Sequence, residues 1–91
     1  MNIFISNLSD RITNESLRAI FATYGKVASS IVFINRFGNI SKGVAFIVMP
    51  VTNEGTTAIV KLHGSILDGS RVRVKQSTFL RQKLYSFFYR K

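Results

Sequence analysis

The chain has no cysteine, a single proline, a single histidine and only four acidic residues. Without cysteine there is no disulfide staple and no thiolate metal site, which fits a reducing compartment. The lone proline, Pro50, and an apolar content of 46% argue against wholesale disorder. No apolar run approaches the length needed to cross a bilayer. Met1 leads straight into a strand-like run, so no signal peptide is expected either. The four acids, Asp10, Glu15, Glu54 and Asp68, are scattered and form no pair set for acid–base work. His63 stands just before Gly64, where a helix is expected to end, and is expected to cap carbonyls or lie exposed there. Neither Lys42-Gly43 nor Gly38-Asn39 belongs to a phosphate loop of the GxxxxGK[ST] kind. No catalysis, cofactor or metal site is expected.

What the chain does have is positive charge. Thirteen Lys and Arg against four acids give a formal net charge of +9 in 91 residues, a length that suits one small domain. The bases are unevenly placed. From Arg71 onward come Arg71, Arg73, Lys75, Arg81, Lys83, Arg90 and Lys91 with no acid among them. A basic C-terminal third points to a polyanionic partner, either nucleic acid or an anionic membrane surface.

The order of predicted elements is β-α-β-β-α-β. Residues 2–6 alternate as a first strand, and Thr13 caps a helix that carries Leu17, Ile20, Phe21 and Tyr24 at helical spacing and stops at Gly25. A second strand is expected over 27–35 and a third over 43–49, ended by Pro50. A second helix over about 52–63, weakened by Gly55, is followed by a turn with a minor strand over 65–69, and 71–75 alternates as the last main strand. This order implies the α+β, ferredoxin-like split βαβ arrangement, a four-stranded antiparallel sheet with two helices on one face. The division is 1–76 for the domain and 77–91 for a basic aromatic extension.

Two motifs add to this. Ile3-Phe4-Ile5-Ser6-Asn7-Leu8 resembles the short hexamer of RNA-recognition-motif (RRM) domains, with Ser6 where glycine is commoner. Lys42-Gly43-Val44-Ala45-Phe46-Ile47-Val48-Met49 resembles their longer octamer on the third strand. Leu17, Phe21, Tyr24-Gly25, Ala58-Ile59, Leu62, Gly64, Leu67, Gly69 and Val74 also fall at family-like positions. The resemblance implies RNA binding, with Phe4 and Phe46 as the two stacking aromatics and Lys42 as the basic head of the octamer. Val44 stands where the family carries a third aromatic, and offers apolar contact without a π-face.

Strand parity turns the motifs into chemistry, because alternate side chains point to opposite faces. Ile3, Ile5, Ala45, Ile47, Met49, Val72 and Val74 point toward the helices. Asn2, Phe4, Lys42, Val44, Phe46, Val48, Arg71, Arg73 and Lys75 point away. If Ile31 and Phe33 also face out, with Val32 and Ile34 turned in, then Phe4, Ile31, Phe33, Val44, Phe46 and Val48 make one apolar patch. The expected RNA contacts are stacking on Phe4 and Phe46 and apolar contact with Val44 and Phe33. Lys42, Arg73, Lys75, Arg71, Arg36 and Asn2 supply phosphate and polar contacts. Single-stranded RNA is the expected partner, single-stranded DNA a second candidate, and the expected location is cytoplasmic, or nuclear in a eukaryote.

The extension leaves alternatives open. Phe79, Leu80, Leu84, Phe87 and Phe88 recur near helical spacing, which predicts an extra helix over about 78–89 that either folds back over the sheet or extends the RNA surface. A frayed basic tail is the plain alternative. An apolar sheet face also suits a protein partner or a second copy of the chain, in place of RNA. A basic aromatic helix also fits an anionic membrane surface. The motifs already account for the polyanion preference, so no membrane partner is expected.

Overall fold

The computed structural model describes residues 1–34 and 41–77, with Ser41 and Lys42 placed by their backbone alone. The elements in chain order are β1 (Asn2–Ser6), α1 (Asn14–Ala22), β2 (Ser29–Ile34), β3 (Ser41–Val48), α2 (Thr52–Leu62), β4 (Ile66–Leu67), β5 (Ser70–Arg71) and β6 (Arg73–Gln76). Four strands form an antiparallel sheet in the order β2-β3-β1-β6, and β4 and β5 make a small separate hairpin. The two motif strands therefore lie side by side at the centre. This is the ferredoxin-like arrangement that the element order implies.

Local chemistry explains the helix limits. Thr13 is extended and its hydroxyl accepts from the Ser16 N–H at 3.1 Å, while Glu15 sits in the first turn of α1 where the helix dipole favours an acid. α2 starts at Val51 without a side-chain cap. Gly55, a weak helix residue by propensity, is buried, and a Cβ there would stand 2.7 Å from the Met1 sulfur. Its smallness lets α2 approach the N-terminus, whose ammonium donates to the Met49 carbonyl at 2.7 Å.

The main core lies between the helices and one face of the sheet. Ile3, Ile5, Leu17, Phe21, Ala45, Ile47, Met49, Ala58 and Val72 are fully buried there, joined by Leu62 and Val74. Large members of such a set contribute about 1.5–3 kcal/mol each on burial. Ile3, Ile5, Ala45, Ile47, Met49, Val72 and Val74, the positions that alternation turns inward, are all buried there.

Several boundaries differ from expectation. β2 begins at Ser29 because Val27 drops into the core ahead of the ladder. β3 starts at Ser41, two residues early. α2 ends at Leu62, and His63 is already extended. The alternating run 71–75 is not one strand. Val72 donates to the Ser65 carbonyl and accepts from Gly64 N–H, so Arg71 belongs to the small hairpin and only β6 joins the sheet. Arg36 and the predicted helix over 78–89 lie outside the described residues.

Candidate nucleic-acid interface

The face of the sheet turned away from the helices has a hydrophobic cluster of its own. Phe33 and Phe46 are its buried members, and Phe4, Ile31, Val44 and Val48 pack against them half-buried. These six are the patch that parity predicts. A register shift between Val32 and Ile34 accompanies Phe33 joining this face. Val32 packs toward the helix-side core as expected. Ile34 does not; it is 40% exposed, because the bulge breaks the alternation that would have turned it inward.

The register lines the cluster up with cations. Ile31 pairs with Phe46, Phe46 with Phe4, and Phe4 with Lys75, so one row crosses β2, β3, β1 and β6. The neighbouring row runs from Val44 through Ser6 to Arg73, and the opposite one from Ser29 through Val48 to Asn2. Directly opposed residues on adjacent strands stand about 5 Å apart, so rings and cations share one small surface. Lys75 and Arg73 are exposed. No strand of this sheet carries an acid. Glu54 is engaged with the Lys26 N–H at 2.9 Å. Asp68 accepts from the Ser9 hydroxyl at 2.8 Å and the Arg11 guanidinium at 2.9 Å, and these two hydrogen bonds hold its carboxyl below the usual aspartate range.

The two motifs are also joined through their backbones. Asn7 adopts φ 59° and its side-chain Nδ2 donates to the Arg71 carbonyl at 2.8 Å. The next residue, Leu8, donates its N–H to the Gly43 carbonyl at 3.0 Å. Gly43 has φ +77°, and a Cβ on it would stand 3.3 Å from the Leu8 carbonyl oxygen.

The expected site residues thus divide. Phe4, Phe46, Val44, Phe33, Arg73 and Lys75 come together, and Asn2 shares their face, its carbonyl accepting from Ser77 N–H at 2.7 Å. Lys42 lies on β3 by its backbone. Arg71 stands apart from the row, on the small hairpin, with its guanidinium donating to the Gly64 carbonyl at 2.9 Å. Phe33 is 0% and Phe46 1% exposed, so the outward cluster is centred on these two rings.

Sequence reasoning also missed the role of His63. Its Nδ1 accepts from the Val74 N–H at 3.0 Å, where the spacing predicts a donor that caps carbonyls. The ring borders an open cavity of about 210 Å³ lined by Asn7, His63, Gly64, Arg71, Val72 and Arg73. Nothing in the spacing of His63 and Val74 announces this hydrogen bond, which arises only when α2 and β6 are packed together. Among the described residues no cluster of His, Asp or Glu is placed to hold a metal ion. Among the same residues no helix is long and apolar enough to cross a membrane.

Comparison with known proteins agrees with this geometry. The family model described as RNA recognition motif matches residues 3–73. The organelle RRM domain-containing protein 2, mitochondrial, of Arabidopsis thaliana is 38% identical over 68 residues, covering 75% of this chain and 44% of that protein. The chain spans less than half the length of the curated relatives it matches. Among solved structures, the crystal structure of RNA Binding Protein PG1 is 31% identical with a TM-score of 0.83, covering 88% of this chain and 96% of that one. The Sxl-lethal protein/RNA complex is 27% identical with a TM-score of 0.79, covering 84% and 47%. With both motifs on adjacent central strands and the family model spanning most of its length, the chain belongs to the RNA recognition motif family.

Proposed function

We propose that the chain binds single-stranded RNA on the β1–β3 face, as a binding module and not an enzyme. The observation that carries this reading is the row Ile31–Phe46–Phe4–Lys75, which sets two aromatic rings beside a cation on a sheet whose strands carry no acid. Unstacked bases lie on aromatic rings and phosphates meet cations, so this is the pairing that single strands need. Phe4 and Phe46 take the stacking role, with apolar contact from Val44 and Phe33. Lys75, Arg73 and Lys42 meet phosphates, and Arg71, Arg36 and Asn2 add attraction or polar contact at the margin. The family membership and a relative solved as an RNA complex support the same reading. Single-stranded DNA is a second ligand, since no residue of the row must read a 2′-hydroxyl.

One observation favours a second reading. The contiguous apolar cluster of Phe4, Ile31, Phe33, Val44, Phe46 and Val48 also suits a module for protein contact or self-association.

Replacing Phe4 and Phe46 together by Leu keeps the face apolar and removes both π-faces. RNA affinity, read by anisotropy of a labelled oligonucleotide, is expected to fall by about 1–3 kcal/mol per stacked base. Unchanged affinity in a variant that still melts cooperatively would sink the stacking assignment.

A further inference from the structure

The open cavity beside His63 lies at the β6 border of the sheet, off the row of rings, and its walls are cationic. Arg71 and Arg73 line it together with Asn7, His63, Gly64 and Val72, and no acid does. At about 210 Å³ it is smaller than the roughly 300–1,000 Å³ of pockets that enclose whole drug-sized molecules. It has room for a compact charged group and not for a whole nucleotide.

The walls are held in place by their own hydrogen bonds. Asn7 Nδ2 donates to the Arg71 carbonyl at 2.8 Å, and the Arg71 guanidinium donates to the Gly64 carbonyl at 2.9 Å. Gly64 N–H donates to the Val72 carbonyl at 2.8 Å. Val74 N–H donates to His63 Nδ1 at 3.0 Å, which leaves the ring proton on Nε2. The end of α2, the small hairpin and β6 are thus fastened around one space. The bond to Gly64 leaves most of the Arg71 guanidinium donors for a ligand. Among the described residues the one ion pair joins Arg11 to Asp68, so no carboxylate neutralises Arg71 or Arg73.

The position of the cavity says where its ligand comes from. Lys75 opposes Phe4, Arg73 opposes Ser6, and Arg71 follows on the small hairpin at the cavity. A strand with a base on Phe4 and phosphates on Lys75 and Arg73 runs on to this space. We propose that the cavity takes one phosphate group of the single strand bound on the sheet, gripped by Arg71 and Arg73 and flanked by the His63 ring, whose Nε2–H is a further donor. Planar guanidinium forks match phosphate oxygens in pairs, where an ammonium acts as a point charge. The inference rests on the RNA-binding reading of the face and extends the bound strand past the rings.

Oligouridines in which one linkage at a time is an uncharged methylphosphonate locate that phosphate on the full chain. At one linkage the loss of charge is expected to weaken binding to the parent chain roughly tenfold, the scale of a charge-assisted hydrogen bond, and to cost Arg71→Gln little further. Arg71→Lys keeps the charge and loses the fork, and should fall closer to Arg71→Gln than to the parent at that linkage. Cooperative melting of both variants is checked, since Arg71 also bonds the Gly64 carbonyl. Where they do not fold, Arg73→Lys on the other wall takes their place. Inorganic phosphate, titrated at constant ionic strength, should shift the His63 ring and Val74 amide resonances of the parent chain and leave those of the variant unmoved.

Equal cost of every neutral linkage in the parent chain and in Arg71→Gln overturns the proposal. So does Arg71→Lys binding like the parent, which leaves only a point charge. Coupling of Arg71 to an added 5′- or 3′-terminal phosphate, and to no internal linkage, supports the cavity with a strand end as its source. If inorganic phosphate shifts the cavity resonances selectively while no oligouridine binds, the cavity stands with free phosphate as its ligand and the RNA reading of the face fails. If oligouridine binds while Arg71→Gln changes neither affinity nor the phosphate shifts, the RNA reading stands and the cavity fails.

Discussion

Leu8 donates its backbone N–H to the carbonyl of Gly43 at 3.0 Å, and so ties the end of the first motif to the start of the second. Gly43 holds this position at φ +77°, which side chains with a Cβ resist. Gly43→Ala should cost about 1–3 kcal/mol, from the left-handed backbone and from pressing on Leu8. Urea unfolding would show the drop in stability. RNA affinity at a temperature where the variant is folded should fall too, because β3 can no longer keep its register beside Phe4.

The cations of β6 carry a separable prediction. Lys75 opposes Phe4 and Arg73 opposes Ser6. Converting both to Gln should weaken RNA binding and flatten the dependence of log affinity on log salt by about 0.7 for each phosphate that is no longer neutralised. A titration at several salt concentrations checks this. An unchanged slope would place the phosphates elsewhere.

Acid should act on the loop that follows β4. The Asp68 carboxyl is lowered by hydrogen bonds from Ser9 and Arg11. A group with a lowered folded value contributes stability above its unfolded value and loses it as pH falls through the folded one. The contribution is therefore present at neutral pH and fades in the acid range below about pH 4. Urea midpoints measured from pH 5 downward should fall less steeply in Asp68→Asn than in the parent chain.

His63 offers a test of the hydrogen bond that spacing alone does not reveal. Its Nδ1 accepts from Val74 N–H, so the ring must carry its proton on Nε2. His63→Ala removes that acceptor and should cost about 0.5–1.5 kcal/mol of stability, measured by denaturant unfolding. Faster hydrogen exchange at the Val74 amide would locate the effect.

Much of the fold was legible because period-two patterns survive in a sheet with one buried face. Ile3, Ile5, Ala45, Ile47, Met49, Val72 and Val74 all point where alternation puts them. The patch of Phe4, Ile31, Phe33, Val44, Phe46 and Val48 was legible for the same reason. What alternation could not supply was its own interruption. The shift between Val32 and Ile34 and the diversion of Val72 to Ser65 are local hydrogen-bonding choices with no signature in residue type. For that reason Ile34 came out exposed and Arg71 left the row. The burial of Phe46 was hidden too, since parity tells which face a ring is on but not how closely its neighbours enclose it.

The fastening of Val74 and Val72 has a consequence for assembly. β6 is an outer strand of the sheet, and the amides of Val74 and Val72 that turn away from β1 are already given to His63 and Ser65. A strand from another molecule needs those amides free to extend the ladder. Along residues 72–74 this border is thus closed to strand addition. A strand from a second copy of the chain could not continue the sheet through that stretch.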